Sequence, residues 1–341
     1  MKLKENVSLA DYSTMRLGGA ARYLSEAKSR EEIAQQYGWA HEHHLPAIVI
    51  GGGSNIIWGD DGFDGLVIVN KIYGFEVNKL DDTTALFTIG AGEDWDEIVE
   101  RTVKKGYSGI EQLSYIPGTA GGTPVQNVGA YGREIKDVLV SVQAFDTTTH
   151  EHVKVDSRDC GFSYRDSRFK TSEKARFLIT SITLKLSKTN PKPPFYESVQ
   201  KYLDDKKVTD YSPAIIREAV IAVRTQKLPD PDVVANNGSF FGNPIVTHGQ
   251  FSQLQKQFPE VVSWPVSGDH VKVSAAWLIE HAGFKGYHDK TTGMATWDKQ
   301  PLVLINEHAK STQDLLDFRD KIVNAVKDKF GITLIQEPEL L

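Results

Sequence analysis

IPGTAGGTPVQNVGAYG, residues 116–132, contains five glycines, two prolines and no charged residue, in a chain of which 25% is charged. Glycine lets the main chain approach a ligand closely and turn through conformations that are closed to other residues. An exposed loop of seventeen residues usually carries charge, whereas this one suits a flat, mostly apolar ligand that accepts main-chain hydrogen bonds. We therefore interpret this segment, called the neutral loop below, as one wall of a ligand site.

A second glycine-rich loop, GGGSN at residues 51–55, directly follows the apolar run LPAIVI, which is typical of a buried strand. Successive main-chain N–H groups at such a turn can point at an anion, so the loop is a plausible cradle for a pyrophosphate. It lacks the lysine of a P-loop and the G-x-G-x-x-G spacing of a dinucleotide-binding turn. Taken alone, it is equally well explained as a tight turn between two strands.

Composition excludes several classes of protein. The chain has 341 residues, of which 40% are hydrophobic, and is long enough for two or three domains with cores of their own. Its net charge of -6 lies in no block of like charge, so we expect no nucleic-acid partner. No stretch approaches the ~20 apolar residues that span a bilayer. Because the N-terminus also lacks the apolar segment of a signal peptide, we expect a cytoplasmic protein without a membrane partner.

Cysteine and histidine usage indicates no metal site. The single cysteine, Cys160, excludes an internal disulfide and a cysteine-based cluster, and we expect a small buried side chain rather than a catalytic thiol. His41, His43 and His44 lie together at one helix end without the H-E-x-x-H spacing of a zinc site. We expect these histidines to be solvated.

Hydrophobic periodicity predicts alternating helices and strands in the first third of the chain, an α+β middle region and a more helical last third. Pro191, Pro193 and Pro194 form a stiff connector before the last region, where Ser212 and Pro213 are typical of a helix start. The predicted helices are residues 29–44, 94–106, 212–228, 273–283 and 311–331. The predicted strands are residues 45–50, 65–70, 85–93, 137–146, 176–186 and 332–340.

Five motifs occur in order: GGGSN, the neutral loop, YRDS at residues 164–167, NGSFFGNP at 237–244 and EPE at 337–339. Together they span nearly the whole chain and resemble the UDP-N-acetylenolpyruvoylglucosamine reductase (MurB) family, in its longer-chain branch. The resemblance implies an α+β fold, with a two-part FAD-binding module of the vanillyl-alcohol-oxidase (PCMH) type and a smaller α+β substrate-binding domain. We expect the first FAD-binding subdomain at residues 1–71 with a returning strand at 327–341, the second at 72–210, and the substrate-binding domain at 211–326.

The same resemblance implies FAD that is bound non-covalently, with GGGSN at the pyrophosphate and the neutral loop at the flavin. A flat isoalloxazine ring suits the neutral loop: we expect Gln126 and Asn127 at its polar edge, and Gly129, Ala130 and Gly132 to leave room for it. The expected cofactor-binding residues are Gly51, Gly52, Gly53, Ser54, Asn55, Gly118, Gly121, Gly122, Thr123, Gln126, Asn127, Gly129 and Ala130.

The implied reaction assigns roles to three side chains. Hydride addition to an enolpyruvyl ether leaves negative charge on the neighbouring carbon and its carboxylate, which must be stabilised and then protonated. Arg165 of YRDS can hold a carboxylate with two N–H groups, although sequence alone favours a surface pair with Asp166 or Asp159. Ser239 of NGSFFGNP is the expected proton donor, and no G-x-S-x-G motif of a hydrolase surrounds it. Glu337 resembles the family's catalytic glutamate.

Four further residues are expected to bind the substrate: Tyr196, Lys227, Asn243 and Lys285. Tyr196 resembles a tyrosine that closes over the nucleotide, although YESV stands here where the family usually has Tyr-Gly-Asp/Glu-Leu. Gly242 stands where many relatives carry lysine, so phosphate affinity is expected to be distributed differently. For Lys285, an exposed lysine in a turn is nearly as good an interpretation.

These inferences predict an NADPH-dependent reductase that uses bound FAD to convert UDP-N-acetylglucosamine enolpyruvate to UDP-N-acetylmuramate, in peptidoglycan precursor synthesis. The nicotinamide and the UDP-sugar enolpyruvyl ether would use one face of the flavin in turn, and we expect a monomer. Another PCMH-type flavin oxidoreductase is the first alternative, although neither glycine loop contains the histidine expected of a covalent flavin. The second alternative is a non-catalytic sugar-nucleotide binding module without flavin.

Overall fold

The computed structural model describes residues 1–266 and 268–341 and divides into two compact units. The first unit consists of Met1–Val7, Ala21–Gly52 and Phe63–Thr225. The second consists of Ser8–Ala20, Gly53–Gly62 and Gln226–Leu341. The three-domain division that we expect from the sequence stays a prediction.

The secondary structure contains both helices and strands throughout. The α-helices are α1 (Arg30–Glu42), α2 (Trp95–Lys104), α3 (Glu197–Asp205), α4 (Pro213–Lys227), α5 (His248–Gln257), α6 (Ala275–Ile279) and α7 (Thr312–Phe330). The strands are β1 (Lys4–Ser8), β2 (Ala20–Ala27), β3 (Ala47–Ile50), β4 (Ile56–Ile57), β5 (Phe63–Asn70), β6 (Phe75–Lys79), β7 (Thr84–Gly90), β8 (Gly129–Ala130), β9 (Arg133–Glu134), β10 (Leu139–Asp146), β11 (Glu151–Asp156), β12 (Phe177–Ser187), β13 (Asn236–Ser239), β14 (Ile245–Thr247), β15 (Ser263–Pro265), β16 (His270–Val273), β17 (His288–Asp289), β18 (Met294–Trp297), β19 (Gln300–Asn306) and β20 (Glu339–Leu340).

Local capping explains why the predicted helices begin and end where they do. The side chain of Ser29 accepts a hydrogen bond from the Glu32 N–H at the start of α1, and Ser311 accepts one from the Asp314 N–H at the start of α7. These bonds satisfy N–H groups that have no partner within the helix. At its other end α7 stops at Gly331, whose φ of 69° is readily adopted only by glycine.

The predicted closing strand at residues 332–340 is wrong in extent. Only Glu339–Leu340 forms β20, and Gln336 makes an isolated bridge to Phe241. Pro338 has no N–H group to donate to a ladder, which interrupts the strand. The end of the chain nevertheless returns to an earlier segment, because β20 pairs in parallel with β4 in the second unit.

The first unit contains two larger sheets with α1 between them, besides the two-stranded β8–β9 sheet. The strand orders are β1-β2-β5-β3, in which β5 is parallel to both neighbours, and β11-β10-β12-β7-β6, which is antiparallel. Ile33 and Ala40 of α1 pack against Leu66 of the first sheet and against Phe145 and Leu178 of the second. Burial of this apolar helix face joins the two sheets.

Helix α4 packs within the first unit, mostly through its N-terminal half. Ile216, Ala219 and Val220 form a small core with Val199 and Leu203 of α3. The helix therefore continues the first unit beyond the proline-rich connector, and its last residues, from Gln226 onward, belong to the second unit.

The second unit is built on two antiparallel sheets and three helices. The sheet orders are β13-β19-β18-β17 and β14-β16-β15. Leu278 of α6 and Phe318 of α7 share one core with Leu304 of β19 and with Phe240 and Phe241, which follow β13. This core fixes the segment that carries the predicted proton donor. Among the described residues, no helix combines the length and apolar character needed to cross a bilayer.

Candidate active site

Four of the ten non-glycine residues with positive φ in the described part of the chain lie in or beside the neutral loop. Tyr115, Asn127, Tyr131 and Arg165 have φ values of 59°, 46°, 51° and 55°, in the left-handed region. Residues other than glycine occupy this region rarely, and they remain there only where the surrounding contacts enforce it. Such residues cluster at binding and catalytic sites, so the neutral loop and Arg165 mark a candidate site in the first unit.

The two glycine-rich loops meet in the first unit. A Cβ at Gly51 would lie 2.1 Å from the Thr119 Oγ1, and a Cβ at Gly52 would lie 3.2 Å from the Gly118 Cα. The main chains can come this close only without side chains at these positions. The structure thus brings together two segments that the sequence places 65 residues apart, as two walls of one cofactor site require.

Gly129 has close neighbours within the protein itself. Its Cβ would lie 2.9 Å from the Arg133 carbonyl oxygen and 3.1 Å from the Arg165 Nη1. The Arg165 Nη2 donates a hydrogen bond of 2.7 Å to the Gly129 carbonyl oxygen. Gly129 therefore allows both the β8–β9 hairpin and the placement of Arg165, and its expected role of leaving room for a flavin ring stays a prediction.

Other residues of the neutral loop hold its own shape. Asn127 is fully buried, its Nδ2 donates to the Glu134 Oε2 and the Ser163 carbonyl oxygen, and its Oδ1 accepts from the Lys136 N–H. The Thr123 hydroxyl donates to the Ala120 carbonyl oxygen, and a Cβ at Gly121 would lie 2.6 Å from the Ala91 Cβ. The expected contact of Asn127 with a flavin would therefore have to come from its main chain. Gln126, Gly122 and Ala130 are at least partly exposed on the same loop.

Sequence reasoning missed Arg224, which lies in the first unit beside two tyrosines. Its Nε donates to the Tyr115 carbonyl oxygen over 3.0 Å. Burial lowers the pKa of the Arg224 guanidinium and raises the pKa of the Tyr131 hydroxyl. The only sequence signal was the position of Arg224 one helical turn before Lys227.

Tyr196 lies next to this group. Its ring packs edge-on against Tyr131, with 5.6 Å between ring centroids, and it remains 44% exposed. Burial of the remaining part raises the pKa of its hydroxyl. The exposed aromatic face is thus available to a ligand at the edge of the strained region.

The second unit brings Ser239 and Glu337 into neighbouring segments. Ser239 is exposed at the end of β13, directly before the buried Phe240. The Phe240 carbonyl oxygen accepts the Glu337 N–H over 2.9 Å, and a Cβ at Gly242 would lie 3.6 Å from the Glu337 Oε1. Glu337 therefore lies beside Gly242.

The later part of GGGSN is held against the closing segment. The Asn55 side chain donates to the Glu337 carbonyl oxygen at 3.5 Å, and the Asn55 carbonyl oxygen accepts the Glu339 N–H at 2.9 Å. Gly53 has a φ of 67°, and its Cβ would lie 2.1 Å from the Tyr12 carbonyl oxygen. The later part of this loop, which includes Ser54, therefore packs directly against the segment that carries the predicted catalytic glutamate.

Three predicted substrate residues lie in the second unit. Lys227 is exposed at the end of α4. The Asn243 Oδ1 accepts a hydrogen bond of 3.0 Å from the Ala275 N–H, at the first turn of α6. The Lys285 Nζ lies 2.7 Å from the Glu280 Oε1, in a half-exposed ion pair.

Cys160 is buried, and burial raises the pKa of its thiol to about 12. A thiol with this pKa stays protonated at neutral pH and is a poor nucleophile.

The residues present fit a bound FAD. In the first unit, Gly51 and Gly52 let the GGGSN main chain pack closely against the neutral loop, where a Cβ at Gly51 would collide with the Thr119 Oγ1. In the second unit, the Oδ1 of Asn237 is a buried acceptor beside the same glycine motif, without a partner among residues 1–266 and 268–341. Glycine main chain of this kind suits a pyrophosphate, and an unpartnered acceptor suits a hydroxyl group.

Comparisons with known proteins agree with this geometry. Residues 21–155 match the family model of the FAD binding domain, and residues 230–341 match that of the UDP-N-acetylenolpyruvoylglucosamine reductase C-terminal domain. The chain is 38% identical over 333 residues to the UDP-N-acetylenolpyruvoylglucosamine reductase of Cupriavidus pinatubonensis, covering 98% of this chain and 97% of that one. It is 37% identical over 340 residues to the same-named protein of Pseudomonas syringae pv. syringae, covering 100% and 99%.

A solved structure supports the fold. The crystal structure of UDP-N-acetylenolpyruvylglucosamine reductase (MurB) from Thermus caldophilus aligns over 100% of this chain and 99% of that one, with a TM-score of 0.68 and 22% identity. The α+β fold class with an FAD-binding module is thereby confirmed, as is the resemblance drawn from the five motifs. The chain therefore belongs to the UDP-N-acetylenolpyruvoylglucosamine reductase family and is an FAD-dependent oxidoreductase.

Proposed function

We propose that this protein reduces UDP-N-acetylglucosamine enolpyruvate to UDP-N-acetylmuramate with electrons from NADPH, as a monomeric cytoplasmic enzyme of peptidoglycan precursor synthesis. The observation that carries the proposal is 38% identity over 98% of the chain to a reductase of that name. The reaction adds one hydride and one proton across the enolpyruvyl double bond, while NADPH becomes NADP⁺. When bound, FAD would supply the hydride-transfer chemistry, and the GGGSN loop and the neutral loop are the residues that would hold it.

Arg165 is the proposed stabiliser of the substrate carboxylate. Its guanidinium is always charged, and one of its nitrogens is held by the Gly129 carbonyl oxygen. The positive φ of Arg165 also fixes where its side chain leaves the main chain. A donor that is oriented before the reaction stabilises developing negative charge without reorganising at that moment.

Ser239 is the proposed donor of the proton to the substrate carbon. Its neighbours Asn237 and Phe240 are buried while Ser239 itself is exposed, so the strand end is fixed and the hydroxyl is accessible. A serine hydroxyl is a weak acid, but the carbanion next to a carboxylate is a strongly basic acceptor. Glu337 is proposed to orient the proton donor or the substrate carboxylate, because its main chain is bonded to Phe240, the residue after Ser239.

The proposed contacts to the diphosphate and the uridine are Tyr196, Lys227, Asn243 and Lys285. The exposed face of Tyr196 supports stacking or closure over the nucleotide. The exposed ammonium of Lys227 supports binding to phosphate. For Lys285, binding would have to compete with its ion pair to Glu280.

The test is an anaerobic titration of the flavin-loaded protein. NADPH should bleach the visible flavin absorbance, and addition of the enolpyruvyl sugar nucleotide should restore it. UDP-N-acetylglucosamine, which lacks the enolpyruvyl group, is the matched control and should leave the flavin reduced. Comparison with NADH tests the choice of nicotinamide.

Two results would support the alternatives. Reoxidation by oxygen but not by the sugar nucleotide would indicate another flavin oxidoreductase. A colourless protein that cannot be reconstituted with FAD would indicate a binding module.

A further inference from the structure

Asn237 lies two residues before Ser239 in β13 and is only 6% exposed. Its Nδ2 faces three acceptors: the Thr14 Oγ1 at 3.2 Å, the Ser54 carbonyl oxygen at 3.2 Å and the Ile56 carbonyl oxygen at 3.4 Å. One amide thus joins the strand that carries Ser239 to the end of the GGGSN loop, within the second unit.

The loop is held on its other side by the segment around Ser13. The Ser13 hydroxyl donates to the Ile56 carbonyl oxygen at 2.9 Å, and the Thr14 N–H donates to the Gly53 carbonyl oxygen at 3.2 Å. The main chain from Gly53 to Ile56 is therefore fixed between this segment and Asn237. Loss of the amide donors would remove one of the sets of contacts that hold this main chain.

A register shift places Asn237 inward and Ser239 outward. The pairing of β13 with β19 is shifted between Asn236 and Ser239, and Gly238 has a φ of 69°. The Gly238 N–H donates to the Asn236 Oδ1 at 2.8 Å, which stabilises this turn of the strand. Such irregularities re-aim side chains and are common beside active sites.

The other end of the Asn237 amide is unused by the protein. Its Oδ1 has no hydrogen-bond partner in the part of the chain that the structure describes. A buried acceptor without a donor costs free energy, and in native proteins it is usually satisfied by a ligand or an ordered water. The same side chain holds a loop that is expected to bind the FAD pyrophosphate. FAD also carries hydroxyl groups, on its ribose and ribityl parts, that could donate to the Asn237 Oδ1.

We propose that Asn237 is a positioning residue of the FAD site: its Nδ2 fixes the main chain of the Gly53–Ile56 loop, and its Oδ1 accepts a hydrogen bond from a hydroxyl of the bound cofactor. The inference rests on the proposed role of GGGSN at the FAD pyrophosphate. It adds a residue that couples the cofactor loop to the strand of the proton donor.

Two variants separate the two ends of the amide. Asn237→Asp keeps an acceptor and removes the donors, whereas Asn237→Leu removes both. We expect the dissociation constant for FAD to rise about tenfold or more in Asn237→Leu, as for loss of buried hydrogen bonds, with Asn237→Asp also weakened. Asn237→Ser is measured in parallel, so that a failure of one variant to fold leaves the comparison intact.

The control is Asn306→Asp. The Asn306 Nδ2 donates to the Met15 carbonyl oxygen at 3.1 Å, so this variant loses a donor to the same N-terminal segment without touching the loop. The readouts are FAD affinity, from quenching of flavin fluorescence, and the melting temperature with and without saturating FAD. A ligand that binds only the folded state stabilises it by RT ln(1 + [L]/Kd), so at one ligand concentration tighter binding gives a larger rise in the melting temperature. We expect the rise in melting temperature caused by FAD to be smaller in the Asn237 variants and unchanged in Asn306→Asp.

The contrary result is equally clear. If the Asn237 variants melt earlier by the same amount with and without FAD, and bind FAD as the unchanged protein does, Asn237 is a structural brace with a water at its Oδ1. Failure of the proposed function would be seen in a different measurement. The unchanged protein, even with FAD bound, would then not pass electrons from NADPH to the sugar nucleotide.

Discussion

Arg165 donates to a main-chain oxygen of the neutral loop and carries the proposed carboxylate contact, so its replacement can separate charge from geometry. Arg165→Lys keeps the charge but loses the planar pair of donors. We expect reoxidation of the flavin by the sugar nucleotide to slow by about 10²-fold, as for removal of one oriented donor to a developing anion. Single-turnover absorbance measurements test this. Arg168→Lys, at an arginine paired with Glu173, is the matched control, and an equal effect in both would assign Arg165 a structural role.

Ser239 is proposed to protonate the substrate carbon, a step that reduction of the flavin by NADPH does not need. In Ser239→Ala we expect flavin reduction to persist, while reoxidation by the sugar nucleotide falls by ~10²-fold to 10⁴-fold. Ser239→Cys should recover part of the rate because a thiol can also donate a proton. Stopped-flow absorbance of each half-reaction measures this, with Ser252→Ala on the exposed side of α5 as control. Equal slowing of both half-reactions would show that Ser239 shapes the pocket without donating the proton.

At the scale of elements, the β8–β9 hairpin depends on the absence of a side chain at Gly129. In Gly129→Val the new side chain would meet the Arg133 carbonyl oxygen and the Arg165 guanidinium. We expect both lower FAD occupancy and slower turnover of the sugar nucleotide, because the new side chain would displace the hairpin and Arg165 together. The ratio of flavin to protein absorbance measures the first effect. Gly74→Val, where only one main-chain atom lies as near as 4.0 Å, should keep its flavin.

Helix α1 contains a glycine that no contact requires. A Cβ at Gly38 would meet nothing within 4 Å, and its backbone is helical. Gly38→Ala should therefore stabilise the protein by about 0.5–1 kcal/mol, because alanine loses less conformational entropy in a helix. Urea denaturation measures the change. A loss of stability instead would show that α1 needs the glycine for packing.

For the whole molecule, acid stability should depend on a buried carboxylate in β10. Hydrogen bonds from Arg176 lower the pKa of Asp146 to about 2, from an ordinary value of 3.8. Since the folded pKa lies below the unfolded one, this stabilisation is complete above about pH 4 and is lost as the pH falls towards 2. Asp146→Asn should therefore be less stable than the unchanged protein at pH 7, and the two should converge in acid. Denaturation series at several pH values test this, and a constant difference at every pH would contradict it.

The order of helices and strands follows largely from the sequence. The spacing of hydrophobic residues and the capping of helix ends are local properties of the sequence. For this reason α1, α2, α4 and α7 begin and end close to their predicted residues. The glycine loops were also evident, because a neutral run of glycine and proline is unusual in a charged chain. The motifs were sufficient to indicate the family, the cofactor and the candidate residues Arg165, Ser239 and Glu337.

What the sequence by itself determined was therefore local: where helices start, where the main chain can turn, and which short motifs occur in order. Only the tertiary structure decided that Gly51 meets Thr119, that Glu337 is bonded to Phe240, and that Asn237 holds the Gly53–Ile56 loop. These contacts join residues 68, 97 and more than 180 positions apart. No local pattern encodes them, because they arise when separate strands and loops bury their apolar faces and must then satisfy the polar groups enclosed with them.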